Sequence, residues 1–495
     1  MSTHRQYADM AEVEHRYDVV VVGGGIGGLT VAYRIQCQRP DLRIVLFEGA
    51  NHAGGKMRTK TVDRPDGRFL IEAGPDCFLA QKPWARELTE DLGLGEHLIP
   101  ISSMARGVAI RKNGRTIDWP AGISLLAPTE ALPFLRTSLF SPRGKIRMGM
   151  DLLIPKQTSS SDESVGALVR RRLGREALDW IAEPLMAGIY NADPDELSLM
   201  STFPNLRTFE QEHGSLIRGL RAAKRNRRGS KEQTAPFLAL LDGMQELPNA
   251  LVKSLGDVVE TGSLVKSFTR GSDGLFRLAI GGRRLIAASQ VVLATPAKET
   301  AALLEAVSPA ASAHMAPMRT SNSGTISMAF PESELAGPAG YGLVLPRKEG
   351  RSFNAVTVVS RKFPGRAPPG WALVRLFFGG ARSPETMVAD DQRVAGMAIR
   401  ELQLLYGVSD EPAFYTVSRW PVGNPLYAVG HMERVLEIEK ALPSGVHLGG
   451  SAFRGVGIPD IIRGANQTAA RICESLAQGI SDTFEQHNAV QQLGA

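Results

Sequence analysis

Two clusters of glycine at opposite ends of a 495-residue chain have the spacing of turns that grip a ligand through bare backbone. The first, Gly23-x-Gly25-x-Gly27-Gly28, follows the apolar run Val19–Val22 and opens a helical pattern. In such a turn one glycine permits the tight bend, the next lets backbone approach a diphosphate, and the last lets helix and strand pack closely. The helix N-terminus beyond them offers unpaired N–H groups and partial positive charge. Glu48 ends the next apolar segment, about 20 residues past the third glycine, where a carboxylate accepts hydrogen bonds from ribose hydroxyls. The second cluster, Gly449-Gly450-Ser451 followed by Val456-Gly457-Ile458-Pro459, also leads into a helical pattern. Pro459 suits a first helical turn, where its missing donor costs nothing. Two such turns suit one extended ligand held at two places.

A further pair, Gly54-Gly55-Lys56, comes six residues after Glu48. A second close backbone approach just past the ribose-binding acid is a feature of FAD proteins rather than of plain NAD dehydrogenases, and Lys56 is a candidate phosphate partner. FAD is therefore the expected cofactor.

The elements that would position these residues alternate along the chain. Residues 18–48 read strand, glycine turn, helix, strand, with the first strand continuously apolar as a parallel strand buried on both faces should be. Residues 83–225 carry apolar side chains mostly at three- and four-residue spacing, a helical pattern. Strand patterns return over 258–297 and dominate from about 320 to 420, with a helix around 386–406, and the end reverts to strand, turn, helix. The expected organisation is a tail (1–16), an α/β Rossmann-like FAD domain in three pieces (17–82, 235–297, 445–480), a helical substrate or membrane-facing domain (83–225), a mixed-sheet substrate domain (298–444) and a second tail (481–495).

Composition bounds the class. At 43% hydrophobic and 22% charged residues the chain is a soluble globular type. Cys37, Cys77 and Cys473 lack metal-ligand or Cys-x-x-Cys spacing, which argues for a reducing compartment and against a disulfide framework. The polar start is not a signal peptide, and no stretch approaches the roughly 20 apolar residues of a membrane span, so a cytoplasmic protein is expected. Much of the +6 net charge lies in the run 221–231, read as a solvated loop between helices or, functionally, as a patch for anionic lipid, an acidic partner or nucleic acid. No aromatic residue interleaves it, which counts against nucleic acid. No metal cluster or paired catalytic carboxylates are apparent.

The dinucleotide fingerprint, its acid and the following Gly-Gly-Lys together resemble the flavin monoamine oxidase and phytoene desaturase superfamily. His52 stands where many members carry arginine. Downstream, Ile71–Leu79 with Lys82-Pro83, the stretches 162–199 and 203–219, Pro236–Gln245 and the closing Gly455–Asp460 resemble the oxygen-dependent porphyrinogen oxidases over nearly the whole chain. That resemblance implies FAD- and oxygen-dependent removal of six electrons from a porphyrinogen, coproporphyrinogen III or protoporphyrinogen IX, in haem biosynthesis, with peroxide released. It places Gly74-Pro75-Asp76, Val265, Thr295, Gly450, Ser451 and Val456-Gly457-Ile458 beside the cofactor, the last group at the flavin's pyrimidine edge. It places the Gly188 carbonyl, Arg106, Val344 and Phe377 around the macrocycle, with Arg106 toward a propionate. Asn191-Ala192 replaces the family's Ala-Gly, Ser451 its asparagine and Leu426 its glutamine. Peripheral membrane contact, a homodimer and a downstream haem-pathway enzyme are the further partners considered. An amine oxidase or carotenoid desaturase is a competing reading, although Tyr427 alone offers an aromatic for an amine cage. A non-catalytic carrier akin to the Rab GDP-dissociation inhibitors is a third, opposed by the intact fingerprint.

Overall fold

The run Val19–Val22 is apolar without alternation because both of its faces are covered. Val19 and Val21 enter one core, and Val20 and Val22 enter another, as a parallel strand between two layers requires. The computed structural model describes residues 15–159, 161–228, 235–282, 284–408 and 411–493. The strand His15–Val22 lies between Ile44–Phe47 and Arg284–Leu293, parallel to both. Val259–Glu260 adds a parallel strand beyond Ile44–Phe47. On the other side, Phe276–Ile280 runs antiparallel to the first half of Arg284–Leu293, and Val446–Leu448 runs parallel to its last residues. The first and last strands of the chain therefore flank one shared neighbour. Helices Ile26–Gln38 and Ile458–Leu493 leave them side by side: a Cβ on Gly27 would lie 2.9 Å from the Gly450 Cα and 3.1 Å from Ile461 Cγ2.

A second seven-stranded sheet runs in the order Phe414–Trp420, Ser323–Pro331, Trp371–Phe378, Ala355–Val358, Gly342–Val344, Val108–Lys112, Arg115–Asp118. Its outer face is apolar. Ile326, Met328, Phe330, Val374, Leu376 and Phe378 pack there with Val394, Ala398 and Leu402 of the helix Asp391–Tyr406. Alternation along each strand then sends Phe377, Arg375, Thr325 and Val344 to the inner face.

The hairpin Val108–Asp118 departs from the helical expectation over 83–225. Its turn is Asn113-Gly114, both at positive φ (50° and 73°), the two-residue loop whose twist matches paired strands. Strand Val108–Lys112 then joins the sheet through Gly342–Val344. The remainder of that region is largely helical, with Leu168, Val169, Ile181, Met186 and Leu206 in one core. Arg172 is buried there at 0% exposure, held by Asp151 at 2.6 Å and by the carbonyls of Ile154, Pro155 and Gly214.

Two further expectations change. The basic run starts on a helix, Leu216–Arg228, rather than in a loop; Arg221 donates to the Thr129 carbonyl and Lys224 pairs with Glu130, while 229–231 lie outside the described residues. The final helix continues to Leu493, since neither glycine nor proline interrupts residues 480–493, so the tail expected from 481 is its continuation; residues 1–14 of the first tail lie outside the described ones. Among the described residues no helix is long and apolar enough to cross a membrane.

Candidate active site

The three glycine turns meet. Gly54 N donates to the Gly24 carbonyl at 2.8 Å, and a Cβ on Gly55 would lie 3.2 Å from the Gly25 Cα. Gly54 and Gly55 hold φ of +106° and +57°, where side chains are strained. Gly23 (φ +107°) turns against Ala294 and Thr295, and a Cβ on Gly28 would fall 2.0 Å from the Gly23 carbonyl oxygen. Those glycines are required by the protein's own packing.

Gly25 is different. Its φ of −70° suits any residue, and a Cβ there would meet no atom within 4 Å. Nothing in the protein needs that position bare, so the space in front of it fits a group the chain binds. Glu48 stands beside it: Oε2 accepts from Gly24 N at 2.7 Å and Oε1 from Ala50 N at 2.8 Å. Two of the carboxylate's roughly four acceptor positions are used. Ser263 N donates to the Glu48 carbonyl and Leu264 packs at Gly49, which places Val265 next to this acid. Thr295 pairs its hydroxyl with that of Thr300 at 2.9 Å.

Lys56 has a partner within the protein. Its ammonium donates to the Gly423 carbonyl, and burial holds it below lysine's usual pKa, with Glu299 acting the other way. A half-buried ammonium takes a strong acceptor of the chain, and its place at a phosphate is a proposal.

At the other end, Gly450 (φ +80°) rests on Ala294 and Gly449 N donates to the Leu293 carbonyl. The loop from Ser451 to Gly455 is fixed by Tyr427, whose hydroxyl donates to the Ser451 carbonyl at 2.5 Å and accepts from Gly455 N at 2.7 Å. Tyr427 is 1% exposed and stacks on His431 with ring centres 4.1 Å apart. It is a strut rather than a wall of an amine cage. Val456 packs toward the helical core, and Gly457 and Ile458 begin the last helix, whose first turn carries Asp460. Lys82 pairs with Asp460 at 2.5 Å, offsetting a negative charge at a helix end that is otherwise electropositive.

On the inner face of the second sheet, one cross-strand row joins Val344, Ala355, Phe377, Thr325 and Ser418. Val344 and Phe377, far apart in sequence, thus belong to one wall. Gly188 lies on the helix Glu183–Tyr190, with no atom within 4 Å of a would-be Cβ. The carbonyls of Ala187, Ile189 and Tyr190 receive Asn191 N, Asn424 Nδ2 and the Ser321 hydroxyl. Among the described residues the Gly188 carbonyl has no donor beyond its own helix. Asn191 ends the helix at φ 50° and ties it to the sheet, donating to the Asn322 carbonyl and accepting from Asn354. Asparagine suits both tasks. Arg106 is exposed and forms no ion pair among the described residues; it adjoins Gly107, whose carbonyl accepts from Tyr341 N.

Sequence reasoning missed the charged cluster between the two sheets. Gly74 presses on the Lys56 carbonyl, 1.8 Å from a would-be Cβ, and Arg375 donates to the Gly74 carbonyl at 2.7 Å. Asp76, after Pro75, pairs with Lys362 at 2.8 Å, and Lys362 also reaches Cys77 at 3.3 Å. Burial pushes Asp76 up, but Lys362 and Arg375 more than reverse this and leave it below the carboxylate range. Burial, with Asp76 adding to it, pushes the Cys77 thiol up to about 12. Glu72 accepts from Met244 N and the Thr59 hydroxyl, and burial raises it to about 7. Only Asp76 had a signal in the sequence, because the cations come from the helix Val359–Lys362 and the strand Trp371–Phe378, some 300 residues away.

The chain is 34% identical over 471 residues to a Bacillus subtilis protein named coproporphyrinogen III oxidase, covering 92% of this chain and 97% of that one. Identity to protoporphyrinogen oxidase 1, chloroplastic, of Spinacia oleracea is 27% over 492 residues, with coverage of 93% and 85%. The crystal structure of an Exiguobacterium protein designated a candidate protoporphyrinogen oxidase superposes with a TM-score of 0.81 at 28% identity, over 93% of this chain and 99% of that one. The model of the flavin containing amine oxidoreductases matches residues 26–473. With the glycine turns gathered around an open space and that match spanning most of its length, the chain belongs to the flavin containing amine oxidoreductase family, and its cofactor is FAD.

Proposed function

We propose that this protein oxidises a porphyrinogen to the porphyrin with FAD and oxygen, coproporphyrinogen III being the first substrate to test. What carries the reading is that 34% identity to the Bacillus subtilis protein named coproporphyrinogen III oxidase spans 92% of the chain, and so includes the sheet wall and helical cover as well as the cofactor turns. When bound, FAD supplies a two-electron acceptor: over three rounds six electrons and six protons leave the macrocycle and pass to three oxygen molecules as peroxide.

The chain's own residues bind and orient. The glycine turns at 23–28 and 54–55 take the diphosphate, and Glu48 has acceptor capacity left for the ribose hydroxyls. Val344 and Phe377 give the flexible ring a flat apolar wall that sheds water. The Gly188 carbonyl, at the electronegative end of its helix, accepts from pyrrole N–H groups and thereby orients the ring. Among the described residues Arg106 pairs with no carboxylate, and it offers its guanidinium to a propionate at the edge of the slot.

The test is porphyrin fluorescence on incubation of FAD-loaded protein with each of the two porphyrinogens in air, against an enzyme-free control. A gain with coproporphyrinogen III supports the reading. Polyamine-dependent peroxide without any porphyrin would replace it with an amine oxidase. Arg106→Ala is expected to raise KM about tenfold, the value of one charge-assisted contact at ~1.5 kcal/mol, with kcat little changed.

A further inference from the structure

Arg375 is a buried cation that forms no ion pair among the described residues. It sits in the strand Trp371–Phe378 on the inner face of the second sheet and is 3% exposed. Its contacts are the Gly74 carbonyl at 2.7 Å, a long approach to the Thr325 hydroxyl at 3.5 Å, and the ring of Phe377, whose centre lies 4.8 Å from its Cζ. Its Nε has no acceptor, and among the described residues no carboxylate forms an ion pair with it. Asp76 is engaged by Lys362, and Glu72 by Met244 and Thr59. Burial lowers its pKa, Asp76 and Glu72 oppose this only in part through space, and burying a guanidinium this way is costly unless something else compensates it.

Its position indicates what does. Contacts run from Gly25 to Gly55, from the Lys56 carbonyl to Gly74, and from the Gly74 carbonyl to Arg375 and on to Phe377. This path begins at the open space of the first turn and ends at the wall assigned to the macrocycle. Arg375 thus touches both the Gly74 turn, which packs on the second glycine loop, and the wall assigned to the macrocycle.

We infer that Arg375 supplies fixed positive charge to the electron-accepting end of the flavin, favouring the negative charge that accompanies each electron pair. Preorganised charge of this kind needs no rearrangement when the charge arrives. The inference rests on the flavin assignment and not on the identity of the substrate, so a failure to oxidise porphyrinogens leaves it testable.

The experiment equilibrates FAD-loaded protein with a reference redox dye and reads both spectra. Arg375→Gln keeps a donor for Gly74 and removes the charge, whereas Arg375→Lys keeps the charge. In the glutamine variant the equilibrium is expected to shift about tenfold toward oxidised flavin, the scale of one unit charge across roughly 10 Å at an effective dielectric of about 20, equivalent to about 30 mV for a two-electron couple. The lysine variant is expected within about twofold of wild type. A glutamine variant with an unshifted equilibrium and only a raised KM for porphyrinogen would overturn the inference and make Arg375 a substrate anchor. Should the glutamine variant not retain FAD, the lysine variant decides alone: a wild-type equilibrium supports the inference, and a tenfold shift despite the retained charge sinks it.

Discussion

Gly25 and Gly28 are three residues apart and would fail for different reasons. Gly25→Ala adds a methyl group where the backbone is unstrained and the protein leaves room. The apo protein should melt within about 1 °C of wild type, because surface changes away from packing cost within ~0.5 kcal/mol, while FAD affinity falls by at least about tenfold in a fluorescence titration. Gly28→Ala sets a methyl 2.0 Å from the Gly23 carbonyl oxygen and should destabilise apo and loaded protein alike, by about 1–3 kcal/mol, as overpacking does. Glu72 gives a second prediction. Its folded pKa is raised from 4.5 to about 7, so the folded state holds a proton that the unfolded chain releases. The stability it contributes is whole below about pH 4.5 and is lost as pH rises toward 7. In urea titrations at pH 5 and 7.5, wild type should lose up to about 3 kcal/mol relative to Glu72→Gln over that interval; parallel curves would refute the assignment.

The decisive element is the loop that leads into the last helix, and its strut comes from elsewhere in the chain. Tyr427 satisfies the Ser451 carbonyl and Gly455 N with one hydroxyl, so Tyr427→Phe leaves two half-buried groups without that partner. That costs about 1–3 kcal/mol, and because the loop belongs to the cofactor cleft the loss should appear as a lower melting point of the FAD-loaded protein and weaker FAD binding. Unchanged binding with lowered stability would mean that the loop is scaffold only. The pattern of this loop, glycines and then Ile458-Pro459-Asp460, was readable in sequence, since turn and helix-start residues act locally. Its brace was not: Tyr427 reads as a candidate cage residue until the fold shows it buried against His431. The hairpin at Asn113-Gly114 was readable too, yet the surrounding helical periodicity outweighed it.

Over the whole molecule, the two ends of the chain form one cleft because Gly27 and Gly450 touch. FAD held by both turns, as proposed, would cross-link distant segments, and ligand binding to the native state alone should stabilise both together, by about 2.7 kcal/mol at a free concentration of about 100 Kd. Gly27→Val would wedge the first and last helices apart. It is expected to weaken FAD binding and to abolish most of the FAD-dependent rise in melting temperature, measured by scanning calorimetry with and without added FAD. A normal FAD-dependent rise in that variant would show that the cofactor does not depend on this contact.

By itself the sequence determined the cofactor turns, the acid after the second strand and the alternation of helical and sheet regions, because each depends on residues within one turn or one strand of each other. The tertiary structure alone decided that Val344 and Phe377 share a row, that Tyr427 is a strut, that Lys56 turns to Gly423, and that Arg375, Lys362, Asp76 and Glu72 form one buried cluster. Those facts depend on strand register and on burial, which bring side chains together across hundreds of residues and set what each charge is worth.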